Sequence, residues 1–226
     1  MKIAIDGPAG AGKSTISKKV ANELGYVYID TGAMYRTVGL YLIEHGVDIK
    51  NEKEKVVEML EDISIDMKTT PQGQLMFLNG EDVTSKIRTE QVSMAASLVA
   101  VIGEVRKKLV ALQREFAGTR NVIMDGRDIG THVFPDAECK IYLTASARAR
   151  GERRYAENIE KGIPCDLEEV CKDIEARDLN DSTRKESPLK QADDAILLDT
   201  TELSLEESIE KATAIIKERI KSLSKN

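Results

Sequence analysis

The sequence predicts an α/β fold in which a parallel sheet is covered on both faces by helices and carries a small antiparallel insertion. Three observations lead there. Short apolar runs alternate with stretches of helical periodicity along the chain. A glycine-rich loop sits between the first apolar run and the first helical stretch. One segment, about residues 62–90, alternates with period two and ends in hairpin signals.

The first strand is Lys2-Ile3-Ala4-Ile5-Asp6, and Gly7-Pro8-Ala9-Gly10-Ala11-Gly12-Lys13-Ser14 follows with the spacing G-x-x-x-x-G-K-[S/T]. In that pattern the backbone N–H groups wrap a polyphosphate, the Lys13 ammonium reaches its β- and γ-oxygens, and the Ser14 hydroxyl is a ligand for Mg²⁺. Ile16, Val20, Ala21 and Leu24 recur at helical spacing behind it. Tyr26-Val27-Tyr28-Ile29 is the second strand, after which Asp30 or Thr31 caps a helix bearing Tyr35 and Arg36 in its first turn. Residues 51–61 form an amphipathic helix on Val56, Val57 and Leu60. Within the insertion, Ile63-Ser64-Ile65-Asp66-Met67 alternates, Thr69-Thr70-Pro71-Gln72-Gly73 turns, residues 74–78 return, and Asn79-Gly80 starts a second hairpin.

Residues 90–116 are helical again, with Gly103 as a breaker in the middle. Asn121-Val122-Ile123-Met124 is a strand that ends in Asp125-Gly126-Arg127-Asp128, and residues 139–143 form the next strand. Two helices follow over 146–161 and 167–181, then a last buried strand over 195–198, and Leu205, Ile209, Ala212, Ile216 and Ile220 mark a closing helix. The polar clusters follow the strands, where ligands of parallel sheets bind.

Length and composition narrow the function. At 226 residues, 41% hydrophobic and 32% charged, the chain buries a core and is not disordered. A net charge of −6 argues against gripping nucleic acid by neutralising its backbone, so phosphate binding is local. No apolar run spans a bilayer, and residues 1–5 already read as a strand, so a cytoplasmic protein without membrane contact is expected. Cys139, Cys165 and Cys171 form no C-x-x-C pair, and His45 and His132 stand far apart, so zinc, disulfide and Ser-His-Asp chemistry are not supported. No Asn-Lys-x-Asp element for reading guanine is present, and six of the 13 arginines fall between residues 148 and 184. Guanidiniums clustered beside a phosphate loop repel one another unless anions lie between them, and two phosphorylated substrates would supply those anions.

At these residues the chain resembles the bacterial cytidylate kinases of the nucleoside monophosphate kinase family. The stretches that fit are residues 7–15, Asp30-Thr31-Gly32-Ala33-Met34-Tyr35-Arg36, Ile87-Arg88-Thr89, Asp125-Gly126-Arg127-Asp128-Ile129-Gly130-Thr131, Phe134-Pro135-Asp136 and residues 177–184. The resemblance implies a P-loop nucleoside monophosphate kinase fold spanning 1–226 as a single kinase domain. Its core would be 1–30, 106–147 and 166–226, its monophosphate-binding region 31–105 with the insert at 62–90, and its short lid 148–165. It also implies ATP-dependent phosphorylation of CMP, and of dCMP, with Mg²⁺, by a monomer. Gly7, Pro8, Ala9, Gly10, Ala11, Gly12, Lys13, Ser14 and Thr15 would bind ATP, with Arg150, Arg153 and Arg154 closing over it. Arg36, Arg127 and Arg184 would hold the acceptor phosphate, Tyr35, Arg177 and Asp181 its ribose, and Ser97, Arg106 and Asp128 the base, with Thr31 also among the CMP-binding residues; Lys13, Arg127 and Arg184 would be catalytic.

Chemistry independent of the resemblance supports the base assignment: a carboxylate suits the exocyclic amino group of cytosine, and uracil carries a carbonyl there. Ser97 and Arg106 are nine residues apart, on opposite sides of an unbroken helix, so the helix must break near Gly103 for both to face one base. Kinases with another acceptor, and a nucleotide-binding regulator without turnover, remain alternatives at this level.

Overall fold

A computed structural model describes residues 1–70 and 73–224. The elements in chain order are β1 (Lys2–Asp6), α1 (Lys13–Leu24), β2 (Val27–Asp30), α2 (Thr31–Glu44), α3 (Lys53–Met59), β3 (Ile65–Thr70), β4 (Gly73–Leu78), β5 (Glu81–Asp82), α4 (Glu90–Val99) and α5 (Gly103–Ala117). They continue with β6 (Val122–Gly126), β7 (Cys139–Thr144), α6 (Ala147–Glu160), α7 (Leu167–Thr183), β8 (Ile196–Asp199) and α8 (Leu205–Leu223). The chain clusters into two compact units, one made of Met1–Gly25 with Ile123–Asn226, the other of Tyr26–Val122.

In the first unit β6, β1, β7 and β8 lie side by side in that order. β1 pairs parallel with β7, Ile3 opposite Cys139 and Asp6 opposite Tyr142, and β7 pairs parallel with β8. Ile3, Ile5, Ile123, Met124, Ile141 and Leu143 are all but sealed from solvent, as the near-continuous apolar runs of a two-sided parallel sheet require. Helix α8 starts on a capping box, Ser204 accepting from the Glu207 amide while the Glu207 carboxylate accepts from the Ser204 amide, and it packs on α1 through its buried stripe Ala212 and Ile216. The last strand departs from expectation. β8 was expected to be buried, but it is the edge strand, with Ile196 46% and Leu197 55% exposed and Leu198 alone turned inward. An apolar run by itself does not distinguish a central strand from an edge.

The second unit has its own core, in which Met34, Val38 and Leu42 of α2 meet Val92, Ala95 and Val99 of α4 and Val105 and Leu109 of α5. β3, β4 and β5 form the expected antiparallel sheet, Ile65 facing Leu78 and Thr70 facing Gly73; the expected turn through Pro71 and Gln72 lies outside the described residues. Asn79 and Gly80 both take positive φ, 50° and 85°, the geometry of a tight hairpin, and the Asn79 side chain accepts from the Ser64 amide. The 90–116 stretch is two helices: α4 ends at Val99, and Ile102 in extended conformation leads into α5 at Gly103. The break therefore lies where it was expected, beside Gly103. No helix among the described residues is long and apolar enough to cross a membrane.

Candidate active site

The phosphate loop connects β1 to α1, so the backbone must leave a buried strand and turn at once into a helix. Gly7 makes this possible. Its φ is 153°, and a Cβ there would lie 1.9 Å from the Leu143 carbonyl oxygen of β7. Gly12 caps α1 in the left-handed region at φ 83° and contributes no side-chain cap, so the first N–H groups of α1 have no side-chain acceptor from that residue. Lys13 is 6% exposed and donates to the Pro8 carbonyl across the loop at 2.6 Å. Burial, and then the nearby Arg127 guanidinium, push its pKa down to about 7 against the pull of Asp125, Asp181 and Asp6. An ammonium held this way gains from a polyanion that restores its charge. Ser14 donates its hydroxyl to Asp125 Oδ2 at 2.7 Å.

Beyond β6 the same unit gathers buried guanidiniums and carboxylates. Arg127 donates from Nε to Asp181 Oδ2 at 2.8 Å. Arg184 donates to the Ser187 carbonyl at 2.7 Å, and its Nη2 lies 3.5 Å from Asp128 Oδ1. Burial works against the charge of Arg127, yet Asp181, Asp125 and Asp178 hold its pKa above the ordinary arginine value. Burial likewise disfavours ionised Asp181, but Arg127, Arg184 and Arg177 outweigh it and lower its pKa. Arg177 and Asp181, four residues apart on α7, and Arg184 at its C-cap thus share one side of that helix with Arg127. These are charges arranged to meet an anion and the hydroxyls or amines attached to it.

In α6 the three arginines part company. Arg150, 4% exposed, donates to the Ala145 and Ala9 carbonyls, each at 2.8 Å, and to Asp178 Oδ2 at 2.6 Å. Asp178 in turn accepts from the Ala9 amide at 3.3 Å. Arg153 instead grips the Thr200 and Leu203 carbonyls, and the more exposed Arg154 reaches Glu157 at 3.3 Å. Their i, i+3, i+4 spacing sets all three on one face of the helix, but side chains this long choose partners on different sides of it.

The second unit carries its own arginines. Asp30, not Thr31, caps α2, accepting from the Ala33 amide at 2.9 Å, and Thr31 is the buried first helical residue. Arg36 and Arg88 both pair with Asp30 Oδ2, at 2.8 and 3.3 Å. Burial would raise the Asp30 pKa, but these guanidiniums and the Ala33 amide bring it below the ordinary value. Gln74 of β4 accepts from the Asp30 amide at 2.8 Å, which ties the insert to this corner. Arg106, 3% exposed, donates to the Ala100 carbonyl at 3.3 Å and lies 5.9 Å over the Tyr35 ring, while Ser97 is half-buried with its hydroxyl 3.5 Å from the Ser93 carbonyl.

Sequence reasoning singled out Asp128 and Asp181, which pair with Arg184 and Arg127, but gave no site role to the other carboxylates that hold functional side chains. Asp178 and Asp30 each anchor arginines, and Asp125 holds Ser14. A signal existed for Asp178, which directly follows Arg177 in an arginine-rich stretch. For Gln74 there was none, since nothing local marks a glutamine that reaches 44 residues back.

The family model described as cytidylate kinase matches residues 3–218. Curated cytidylate kinases similar to the chain include that of Caldicellulosiruptor bescii, 51% identical over 222 residues and covering 98% of both chains. That of Geobacillus kaustophilus is 51% identical over 220 residues, covering 97% of this chain and 98% of its own. That of Bacillus cereus is 52% identical over 216 residues and 96% of each. Identity above one half sustained from end to end leaves room for one conclusion: the chain belongs to the cytidylate kinase family.

Proposed function

We propose that the protein transfers the γ-phosphoryl group of ATP to the phosphate of CMP, and of dCMP, giving ADP and CDP or dCDP. The observation that carries this reading is the cluster of half-buried Arg127 with buried Asp128, Asp181 and Arg184 in the same unit as Lys13. A carboxylate paired with a guanidinium suits an acceptor that is an anion carrying an amino-bearing base.

The residues are assigned as follows. The backbone N–H groups that the 7–15 loop carries outside Pro8, together with Lys13, hold the ATP phosphates. On α6, Arg154 is the arginine with one exposed partner, so it is assigned to reach ATP; Arg153 contributes beside it, and Arg150 acts through Ala9. Arg36, Arg127 and Arg184 hold the CMP phosphate, and Thr31 also contacts CMP. Tyr35, Arg177 and Asp181 take the ribose, and Ser97, Arg106 and Asp128 the cytosine. Lys13, Arg127 and Arg184 neutralise the charge that moves between the two phosphates.

The acceptor is a phosphate oxygen, ionised near neutral pH because its second pKa is about 6, so the reaction needs no general base. That oxygen forms the new bond to the γ-phosphorus, and the electron pair of the broken bond leaves on ADP. The Ser14 hydroxyl and the Asp125 carboxylate beside it are two hard oxygen donors, and they fit Mg²⁺ brought in with ATP. When bound, the ion would neutralise phosphate oxygens as a Lewis acid. We assign the protein to the cytoplasm and treat it as a monomer acting on small substrates without nucleic acid or membrane.

ADP formation with CMP and with UMP, in wild type and Asp128→Asn, tests the reading. The wild type should prefer CMP by about 10² or more in kcat/KM, and Asp128→Asn should shrink that preference at least tenfold. Equal rates with both acceptors in the wild type would refute it.

A further inference from the structure

The phosphate loop and the Arg127-Asp128 turn are joined by one residue that no assigned role uses. Asp6 ends β1, directly before Gly7, and is 5% exposed. Its Oδ1 accepts from the Ile129 amide at 2.8 Å and its Oδ2 from the Gly130 amide at 2.7 Å. Those two N–H groups open the five-residue π-helical turn Ile129–Val133, and Asp128 is its N-cap, with φ −146° and ψ 27°. The Asp128 side chain makes no cap of its own there.

A carboxylate that takes two consecutive amides, one on each oxygen, fixes the peptide planes on either side of Ile129. The chain entering Asp128 is fixed by β6, which ends two residues earlier at Gly126. Held from both sides, the Asp128 backbone has little freedom, and its carboxylate stays within reach of Arg184. The charged groups that face Asp6 are Asp128, which opposes its ionisation, and Lys13, which favours it.

We propose that Asp6 is a positioning residue for base recognition: by clamping the Ile129 and Gly130 amides it sets the direction of the Asp128 carboxylate, and through it the choice of cytosine. The inference rests on the assignment of Asp128 to the base. The residue that precedes Gly7 then serves chiefly the acceptor, its charge contact with Lys13 being the smaller of its two connections. A misplacement of about 1 Å at a recognition group costs on the order of 10²-fold, so a partial release should cost about tenfold.

Asp6→Asn keeps the size of the side chain and one acceptor oxygen. In steady-state assays its CMP to UMP ratio of kcat/KM should fall about tenfold and its KM for CMP rise, with KM for ATP within about twofold of wild type. An equal rise of both KM values, or an unchanged ratio in the folded variant, overturns the proposal. Asp128→Asn in the same assay separates the two failures. If it lowers the ratio while Asp6→Asn does not, Asp6 has no positioning role; if neither does, the base assignment itself fails and the proposal with it. Should Asp6→Asn not fold, amide exchange in the wild-type protein decides. CMP alone should slow exchange at Ile129 and Gly130 and ATP alone should not, and the same response to both nucleotides would overturn the role.

Discussion

Substituting Gly7 by alanine probes the phosphate loop through a contact that can be worked out from the fold. The new Cβ would sit 1.9 Å from the Leu143 carbonyl oxygen, 3.0 Å from its carbon and 3.5 Å from its nitrogen, where ordinary contact begins at 3.4 Å. The obstacle is backbone. Leu143 lies on β7, which is paired with β1 on one side and β8 on the other, so it cannot yield as a flexible side chain would. The loop itself must therefore move by about 1 Å or more, which takes its amides out of hydrogen-bond reach of the positions they now define. Activity should fall by about 10²-fold or more. Overpacking against a rigid neighbour costs about 1–3 kcal/mol, so Tm should drop by about 2–12 °C for a chain of this size. Gly25→Ala is the control: its φ is also positive, at 69°, but nothing lies within 4 Å of the added carbon. That variant should lose about 1 kcal/mol and keep its turnover. Steady-state ADP release and thermal melts on both proteins read the outcome, and a folded Gly7→Ala with near wild-type kcat would refute the steric reasoning.

Other perturbations have defined outcomes. Lys13→Ala and Arg184→Ala should each lower kcat with CMP by about 10²–10⁴-fold, measured by coupled ADP release; near-normal turnover in either would remove that residue from the catalytic set. Asp30→Asn keeps a helix cap but loses the charge that Arg36 and Arg88 share. Because the folded-state pKa of Asp30 is depressed, the stabilisation is present above its ordinary value of 3.8 and is lost as pH falls through the folded value. Wild type should exceed Asp30→Asn by about 1–3 kcal/mol at pH 7, a figure discounted because Arg88 is half exposed, and denaturant titrations should show the gap closing toward pH 3. A gap that does not change with pH would place its origin elsewhere. At the sheet edge, Ile196→Thr and Leu197→Thr should change stability by no more than about 0.5 kcal/mol, and Leu198→Ala should cost about 2–4 kcal/mol; the reverse order in urea melts would contradict the exposure of β8.

The frame of the fold was legible because it rests on local signals. The loop spacing, the apolar runs of β1, β6 and β7, and the Asn79-Gly80 turn each announce themselves within a few residues. The break before Gly103 was legible for a different reason: the expectation that two residues nine apart face one ligand is incompatible with a continuous helix, and glycine is a local breaker. β8 was misread because burial depends on which strand lies beyond it, and an apolar tetrapeptide does not carry that information. The same limit applies to the site. Lys13, Arg127, Asp181 and Arg184 stand in recognisable patterns, whereas the pairing of Arg127 with Asp181, 54 residues away, and of Arg150 with Asp178, 28 residues away, has no local signal. Arg150 shows the consequence. Helical spacing put it beside Arg153 and Arg154, and only the folded chain reveals that its three donor nitrogens are spent on Ala145, Ala9 and Asp178.

The central claim is phosphoryl transfer from ATP to CMP in preference to other acceptors and to water. The most direct measurement is a single incubation of the protein with ATP labelled at its γ-phosphate and an equimolar mixture of CMP, UMP and AMP, with the labelled products separated and counted. The account predicts label in CDP at about 10² times the level in UDP or ADP, and little label in inorganic phosphate. Label spread evenly among the diphosphates, or released mainly as phosphate, would contradict it.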